Sequence, residues 1–218
     1  MSIRENLENV KRRLPEGVEL VAVSKYHTEE DIRECYAAGQ RIFGESREQE
    51  LREKHQHLPE DIEWHFIGHL QTNKVKYIAP YVSLIHAIDT PRLLREVHRQ
   101  GERLGRRIPC LLQIHVAQEE TKFGFAPEEC LEYLRTEDFR QLPFAEIRGL
   151  MCMASNTDDE ARIRRDFRTV RDLFTRIKAD FFADDDSFSL RSYGMSHDYP
   201  IAIEEGANIV RVGSAIFR

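Results

Sequence analysis

Leu20-Val21-Ala22-Val23-Ser24, followed at once by Lys25, is a run whose first polar position is its last. Alternating polarity would mark a strand with one wet face. A continuous apolar run of this length marks a strand covered on both faces, as in a parallel sheet. Working outward, seven further short apolar runs occupy residues 41–44, 64–68, 83–88, 110–116, 147–153, 188–193 and 209–212, and each gap is long enough for a helix. Strand and helix alternating along the whole length predict an α/β chain. Eight repeats in 218 residues fit one closed (β/α)8 TIM barrel over residues 1–218, with a doubly wound open sheet as the runner-up.

The helix signals agree with this division. Ile3, Leu7, Val10 and Leu14 recur at helical spacing among charges, unlike the unbroken apolar core of a signal peptide. Thr90-Pro91 reads as an N-cap with proline at the first helical position, and Thr157-x-x-Glu160 as a capping box. Behind that box, Ile163, Phe167, Val170, Phe174 and Ile177 form one buried stripe. Arg162, Arg164, Arg165, Arg168 and Arg171 on the same helix alternate with acids and read as a solvated face. Asp184-Asp185-Asp186 reads as a polar loop, because metal loops space their acids and include a glycine turn.

Composition narrows the function. With 41% hydrophobic and 32% charged residues and a net charge of -6, the chain has no global attraction for nucleic acid or an anionic membrane. Cys35, Cys110, Cys130 and Cys152 are widely spaced without a CxxC pair, so free thiols in a reducing cytoplasm are expected rather than disulfides or zinc. No transmembrane or secretion segment is read, and a cytoplasmic location is expected.

Lys25 stands where a buried strand stops, which suits an amine for covalent chemistry with a carbonyl, although many strand-end lysines merely reach solvent. In a parallel barrel the functional face lies at the C-terminal strand ends, with phosphate often held after strands seven and eight. Gly194-Met195-Ser196-His197-Asp198 and Gly213-Ser214-Ala215-Ile216 fall at those two places. Each is an ordinary turn by itself; their joint placement carries the weight. Arg211 and Gly213 point to the same side of strand eight, and a guanidinium facing the interior needs a partner that a ligand can supply. Amine, phosphate cradle and arginine together suit pyridoxal 5'-phosphate. His65 and His69, four residues apart along a strand, stand about 13 Å apart, too far for one metal ion, so no metal is expected. His27 reads as a loop histidine, and Trp64 as core.

These segments carry a resemblance. Val21-Ala22-Val23-Ser24-Lys25, Phe43-Gly44-Glu45, Trp64-His65-Phe66-Ile67-Gly68-His69-Leu70-Gln71-Thr72-Asn73-Lys74, Gly149-Leu150-Met151, Gly194-Met195-Ser196-His197-Asp198 and the stretch from Val210 to Phe217 resemble the pyridoxal phosphate homeostasis proteins (YggS/PROSC family). Glu120-x-Lys122-x-Gly124 adds to the likeness. The resemblance implies a barrel similar to the N-terminal domain of alanine racemase. It implies that Lys25 forms the internal aldimine, that Arg211 faces the pyridine nitrogen, and that Ser196, Gly213 and Ser214 hold the phosphate, with Met195 among the cofactor-binding residues. Ser46-Arg47 replaces an Asn-Tyr pair frequent in the family, His115 replaces an asparagine, and Arg191 and Tyr193 alter the approach to strand seven.

The chain stops at Arg218, just after the eighth strand, leaving no room for the second domain from which the related racemases take a catalytic tyrosine. An arginine at the pyridine nitrogen also keeps that nitrogen unprotonated and weakens the ring as an electron sink. The expectation is therefore a largely non-catalytic pyridoxal-phosphate-binding protein serving vitamin B6 and amino-acid homeostasis. Apo forms of cofactor-dependent enzymes are its expected partners, with neither nucleic acid nor membrane among them. A pyridoxal-phosphate-dependent amino-acid racemase and a Schiff-base aldolase are the alternatives.

Overall fold

The structure, a computed structural model, describes residues 2–118 and 123–218. Ser2 caps α1 (Ile3–Lys11) in a reciprocal box with Glu5, and the chain then enters β1 (Glu19–Val23). There follow α2 (Glu29–Ala37), β2 (Ile42–Glu45), α3 (Glu48–His57), β3 (Glu63–Phe66), a 3-10 turn (Thr72–Lys74), α4 (Val75–Ile78), β4 (Leu84–Ile88), α5 (Pro91–Leu104) and β5 (Ile108–His115). The second part runs through α6 (Pro127–Arg135), a 3-10 turn (Asp138–Gln141), β6 (Ala145–Met153), α7 (Glu160–Phe181), β7 (Leu190–Ser192), α8 (Tyr199–Glu204) and β8 (Ile209–Val212).

The eight strands are parallel and close into a barrel in sequence order, as expected, and the open sheet is excluded. Closure joins the first strand to the last, with Leu20 opposite Val210 and Ala22 opposite Val212. Every expected run overlaps an observed strand. The third ends earlier than expected, at Phe66: a side chain at Gly68 would lie 2.3 Å from the Ser46 carbonyl oxygen, so the backbone there turns against its neighbour rather than extending. The seventh is also shorter, because Phe188 leaves the sheet to stack against Phe174 and Phe182 outside it.

Most of the apolar surface lies between the barrel and its coat of helices. The stripe on α7 is buried throughout. The N-cap of that helix is Asp159, not Thr157. Its carboxylate accepts from the N–H groups of both Ala161 and Arg162, and a carboxylate is favoured over a hydroxyl at the positive end of a helix. The arginine face also needs correction. Arg164, Arg168 and Arg171 converge on Glu205, which is 3% exposed just after α8. Burial raises the Glu205 pKa, but the hydrogen bonds from Arg168 and Arg164 outweigh it and hold the carboxyl below its ordinary range. The triple-acid stretch is a loop, as expected.

Inside the barrel the side chains fall in layers. Val21, Leu84, Leu111 and Ile209, with Ile42 and Leu190 packed against them, form an apolar floor. One step further along the strands the lining turns polar, with His65, His86, Gln113, Ser192 and Arg211 all buried. This polar layer carries the candidate site. No helix among the described residues is long and apolar enough to cross a membrane.

Candidate functional site

Arg211 is 4% exposed, and its hydrogen bonds go to uncharged groups. One terminal nitrogen, Nη1, donates to the Ser192 carbonyl at 2.7 Å and to the Ser192 hydroxyl; Nη2 donates to the Cys152 carbonyl at 2.8 Å. Because Ser192 accepts from a cation, its own proton points to Nδ1 of His86, 2.9 Å away. His86 then donates from Nε2 to Nδ1 of His65 at 3.0 Å. The chain of bonds has one direction, away from Arg211, with both imidazoles neutral. Desolvation holds His65 down to about 3 and His86 well below its usual range. Desolvation also lowers the pKa of Arg211, which lies in no carboxylate ion pair among the described residues.

Lys25 follows β1 and is exposed, and the backbone on either side of it is clamped. The next residue, Tyr26, sits in the left-handed region at φ 67°, an unfavourable conformation for an aromatic residue. The buried Lys54 of α3 holds this turn. Its ammonium donates to the Ser24 carbonyl at 2.8 Å, to Glu45 at 2.7 Å and to Glu50 at 2.7 Å. Glu50 also accepts from the Tyr26 N–H at 2.7 Å, and the Ser24 hydroxyl donates to Glu45 at 2.6 Å. One ammonium and two carboxylates thus fix both peptide neighbours of Lys25. Burial pushes the Glu45 carboxyl above its ordinary range against the opposing pull of Lys54.

The loops after β7 and β8 meet across the barrel mouth. Gly194 adopts φ 87°, and a side chain there would strike Ala202 at 2.6 Å and Tyr199 at 2.8 Å, so only glycine lets α8 start this close. The Ser196 hydroxyl accepts from the Gly213 N–H at 3.1 Å and ties the two loops together. Among the described residues, the N–H groups of Ser196, His197, Ser214 and Ala215 find no acceptor within the protein. This is a concentration of free donors of the kind that holds an oxyanion.

Lys25, Met195, Ser196, Arg211, Gly213 and Ser214 line one cavity of about 460 Å³. All six residues expected from sequence are therefore brought together. Ser46, Ile67, His69, Gln113, Phe123 and Met153 complete much of its wall. Of the departures noted in sequence, Ser46 lies in the wall, while Arg47 stacks its guanidinium over the Tyr26 ring at 4.9 Å. His115 lies outside the lining, and Arg191 and Tyr193 point outward to Phe174 and Phe167 of α7. His27 stacks on Phe217 at 4.4 Å, and Trp64 is 1% exposed in the core. His65 and His69 share no strand, since β3 ends between them. No group of three metal-ligating side chains occurs among the described residues. Of the Glu120-x-Lys122-x-Gly124 stretch, the first two named residues lie outside the described residues.

Sequence reasoning missed His86, Ser192, Gln113 and Lys54. The first three become neighbours only when the barrel closes. Lys54 carried one signal, its i,i+4 spacing from Glu50, which is common on solvated helices.

The sequence profile described as the alanine racemase N-terminal domain matches residues 1–218. A protein of Helicobacter pylori J99 named pyridoxal phosphate homeostasis protein is 39% identical over 207 residues, covering 92% of this chain and 87% of its own. One of the same name from Aquifex aeolicus is 36% identical and covers 100% of this chain and 98% of its own. Among solved structures, PipY of Synechococcus elongatus with PLP bound is 34% identical, covers 100% of both chains and superposes with a TM-score of 0.90. An alanine racemase from Streptomyces lavendulae shares the fold, with a TM-score of 0.77 at 18% identity over 98% of this chain and 56% of the racemase.

Proposed function

The chain belongs to the alanine racemase N-terminal domain family, alongside the pyridoxal phosphate homeostasis proteins, and on that premise we propose that it binds pyridoxal 5'-phosphate as a carrier. The cofactor supplies an aldehyde that condenses with a primary amine. The observation that carries the reading is that a free lysine amine, a buried arginine without a carboxylate, and the unpaired N–H groups of Ser196, His197 and Ser214 surround one cavity.

The donor set fits the ligand group by group. Lys25 would attach the aldehyde carbon. Arg211 would donate to the ring nitrogen, because it is a cation whose neighbours are carbonyls and hydroxyls and which opens on the cavity. The Ser196 hydroxyl has its lone pair engaged by Gly213, so its proton is available to the phosphate beside the N–H groups of Ser196, His197, Ser214 and Ala215. Met195, Gly213 and Ser214 would pack around that end. The whole chain, residues 1–218, acts as one binding unit.

A carrier role, in vitamin B6 and amino-acid homeostasis, is favoured over a racemase by the relatives of 36–39% identity that carry the homeostasis name. We infer a cytoplasmic location, consistent with four buried free thiols, and apo forms of cofactor-dependent enzymes as acceptors. The test is titration with pyridoxal phosphate, borohydride reduction and peptide mapping. The wild type should carry the adduct on Lys25, and Lys25→Ala should lose it while keeping its circular dichroism. An adduct mapped elsewhere overturns the assignment. Turnover of an amino acid above roughly 1 s⁻¹, within the ordinary enzyme range, overturns the carrier reading.

A further inference from the structure

His69 lies beyond the end of β3, and its ring forms a wall shared by two cavities. On one side is the cavity that holds Lys25. On the other is a second hollow, lined by Gln71, Thr72, Asp89 and Arg92. Two contacts fix the ring. Its face stacks on Phe123 with centroids 3.9 Å apart, and Nδ1 lies 2.9 Å from Oδ2 of Asp89, whose side chain is 8% exposed. A carboxylate only accepts, so Nδ1 carries a proton, and in the neutral ring Nε2 is left with a lone pair. Nε2 has no partner among the described residues. A buried carboxylate orienting an imidazole whose other nitrogen is free is the arrangement that makes a histidine a proton acceptor and donor.

We propose that His69, oriented by Asp89, is the proton-transfer residue for joining the cofactor aldehyde to Lys25 and for its release. This rests on the binding reading above. In the joining step the Lys25 nitrogen forms a bond to the aldehyde carbon, the C=O bond is replaced by C=N, and the oxygen leaves as water. Both protons of that water come from the lysine amine. Nε2 of His69 takes each of these protons in turn from the nitrogen and gives it to the oxygen, the first as the C–N bond forms and the second as the C–O bond breaks, so the imidazole ends unchanged. Release runs the same steps backward with water as the attacking group. Asp89 is a positioning residue in this scheme. It contacts neither the amine nor the aldehyde.

His197 is the rival, since it lines the same cavity, but its ring lies 3.4 Å from Asp198 through Nε2 and is 48% exposed. The other charged groups facing His69 are Lys25 and Arg211 on the cavity side, with Asp89, Arg92 and Glu129 on the far side. Lys25 must itself lose a proton to react, so the pH profile of each variant is compared with that of the wild type.

The experiment follows the rates of adduct formation and release by stopped flow from pH 5 to 9, for wild type, His69→Gln, His69→Asn, Asp89→Asn and His197→Gln. Both His69 variants should slow the two rates together, on the order of a hundredfold, and flatten the pH profile, with the ratio of the two rates changing far less than either rate. Asp89→Asn should slow both rates by less. Nitrogen NMR of the protein before any cofactor is added should show His69 protonated on Nδ1 in the wild type, with that preference lost in Asp89→Asn. Unchanged rates in the His69 variants, a weakened equilibrium with an unchanged forward rate, an Nε2-protonated His69, or the loss falling on His197→Gln would each overturn the proposal. A wild type that forms no adduct at all overturns the binding reading instead.

Discussion

Arg211 shows what one residue can do in a barrel interior when its charge has no carboxylate beside it. Three of its N–H donors go to the carbonyls of Ser192 and Cys152 and to a hydroxyl that passes the polarity on to two imidazoles, and the others are left for a ligand. Removing the guanidinium leaves those acceptors buried and unpaired, at a cost of about 1–3 kcal/mol for each. Arg211→Met should therefore destabilise the cofactor-free protein by roughly 3 kcal/mol or more in urea unfolding, before any ligand effect enters. Arg211→Asp, attractive as a way to protonate the ring nitrogen, would set a carboxylate against two carbonyl oxygens and is the poorer probe. An Arg211→Met protein as stable as the wild type would mean these bonds contribute little.

At the scale of elements, α3 acts as a brace for the end of β1. Lys54 reaches from the helix to Ser24, Glu45 and Glu50, and so holds the left-handed turn at Tyr26 that follows Lys25. Lys54→Met strands the buried Glu45 carboxylate and should cost about 3–5 kcal/mol, and Lys54→Met with Glu45→Gln should recover part of that loss because no charge is left unpaired. A double variant no more stable than the single one would count against the brace. The strands were legible in sequence because a strand covered on both faces reads as an unbroken apolar run, and Thr90-Pro91 was legible because its chemistry is local. Asp159 was misread since Thr157 offered an equally good local pattern, and only the folded geometry shows which oxygen meets the first N–H groups. Lys25, Met195, Ser196, Gly213 and Ser214 were legible from loop position after β1, β7 and β8, and Arg211 from its sharing a strand face with Gly213. His86, Ser192 and Lys54 were not, because their partners come from distant segments and no periodicity marks a polar layer hidden inside a barrel.

For the molecule as a whole, a polar layer with two neutral histidines makes stability depend on pH. His65 and His86 have folded pKa values depressed by burial, His65 to about 3, against an unfolded value near 6.5. Below pH 6.5 the unfolded chain binds protons that the folded barrel refuses. Their contribution is present above 6.5 and is lost as pH falls toward the folded values. Each histidine contributes a slope of about 1.4 kcal/mol per pH unit once the unfolded form is fully protonated. Urea midpoints should fall between pH 6.5 and 5, and His65→Gln should flatten that dependence. An equal slope in the variant would place the pH response elsewhere.

The pairing of β1 with β8 carries a consequence for biosynthesis. Lys25 is made well before Arg211, Gly213 and Ser214, and only the seam between β1 and β8 brings them together. A nascent chain still on the ribosome holds a reactive amine with no pocket around it, so selectivity for the ligand arrives in one step when β8 docks. Ribosome-tethered chains lacking β8 should treat pyridoxal phosphate as any exposed lysine does, and recognition should begin with the residues that close the circle.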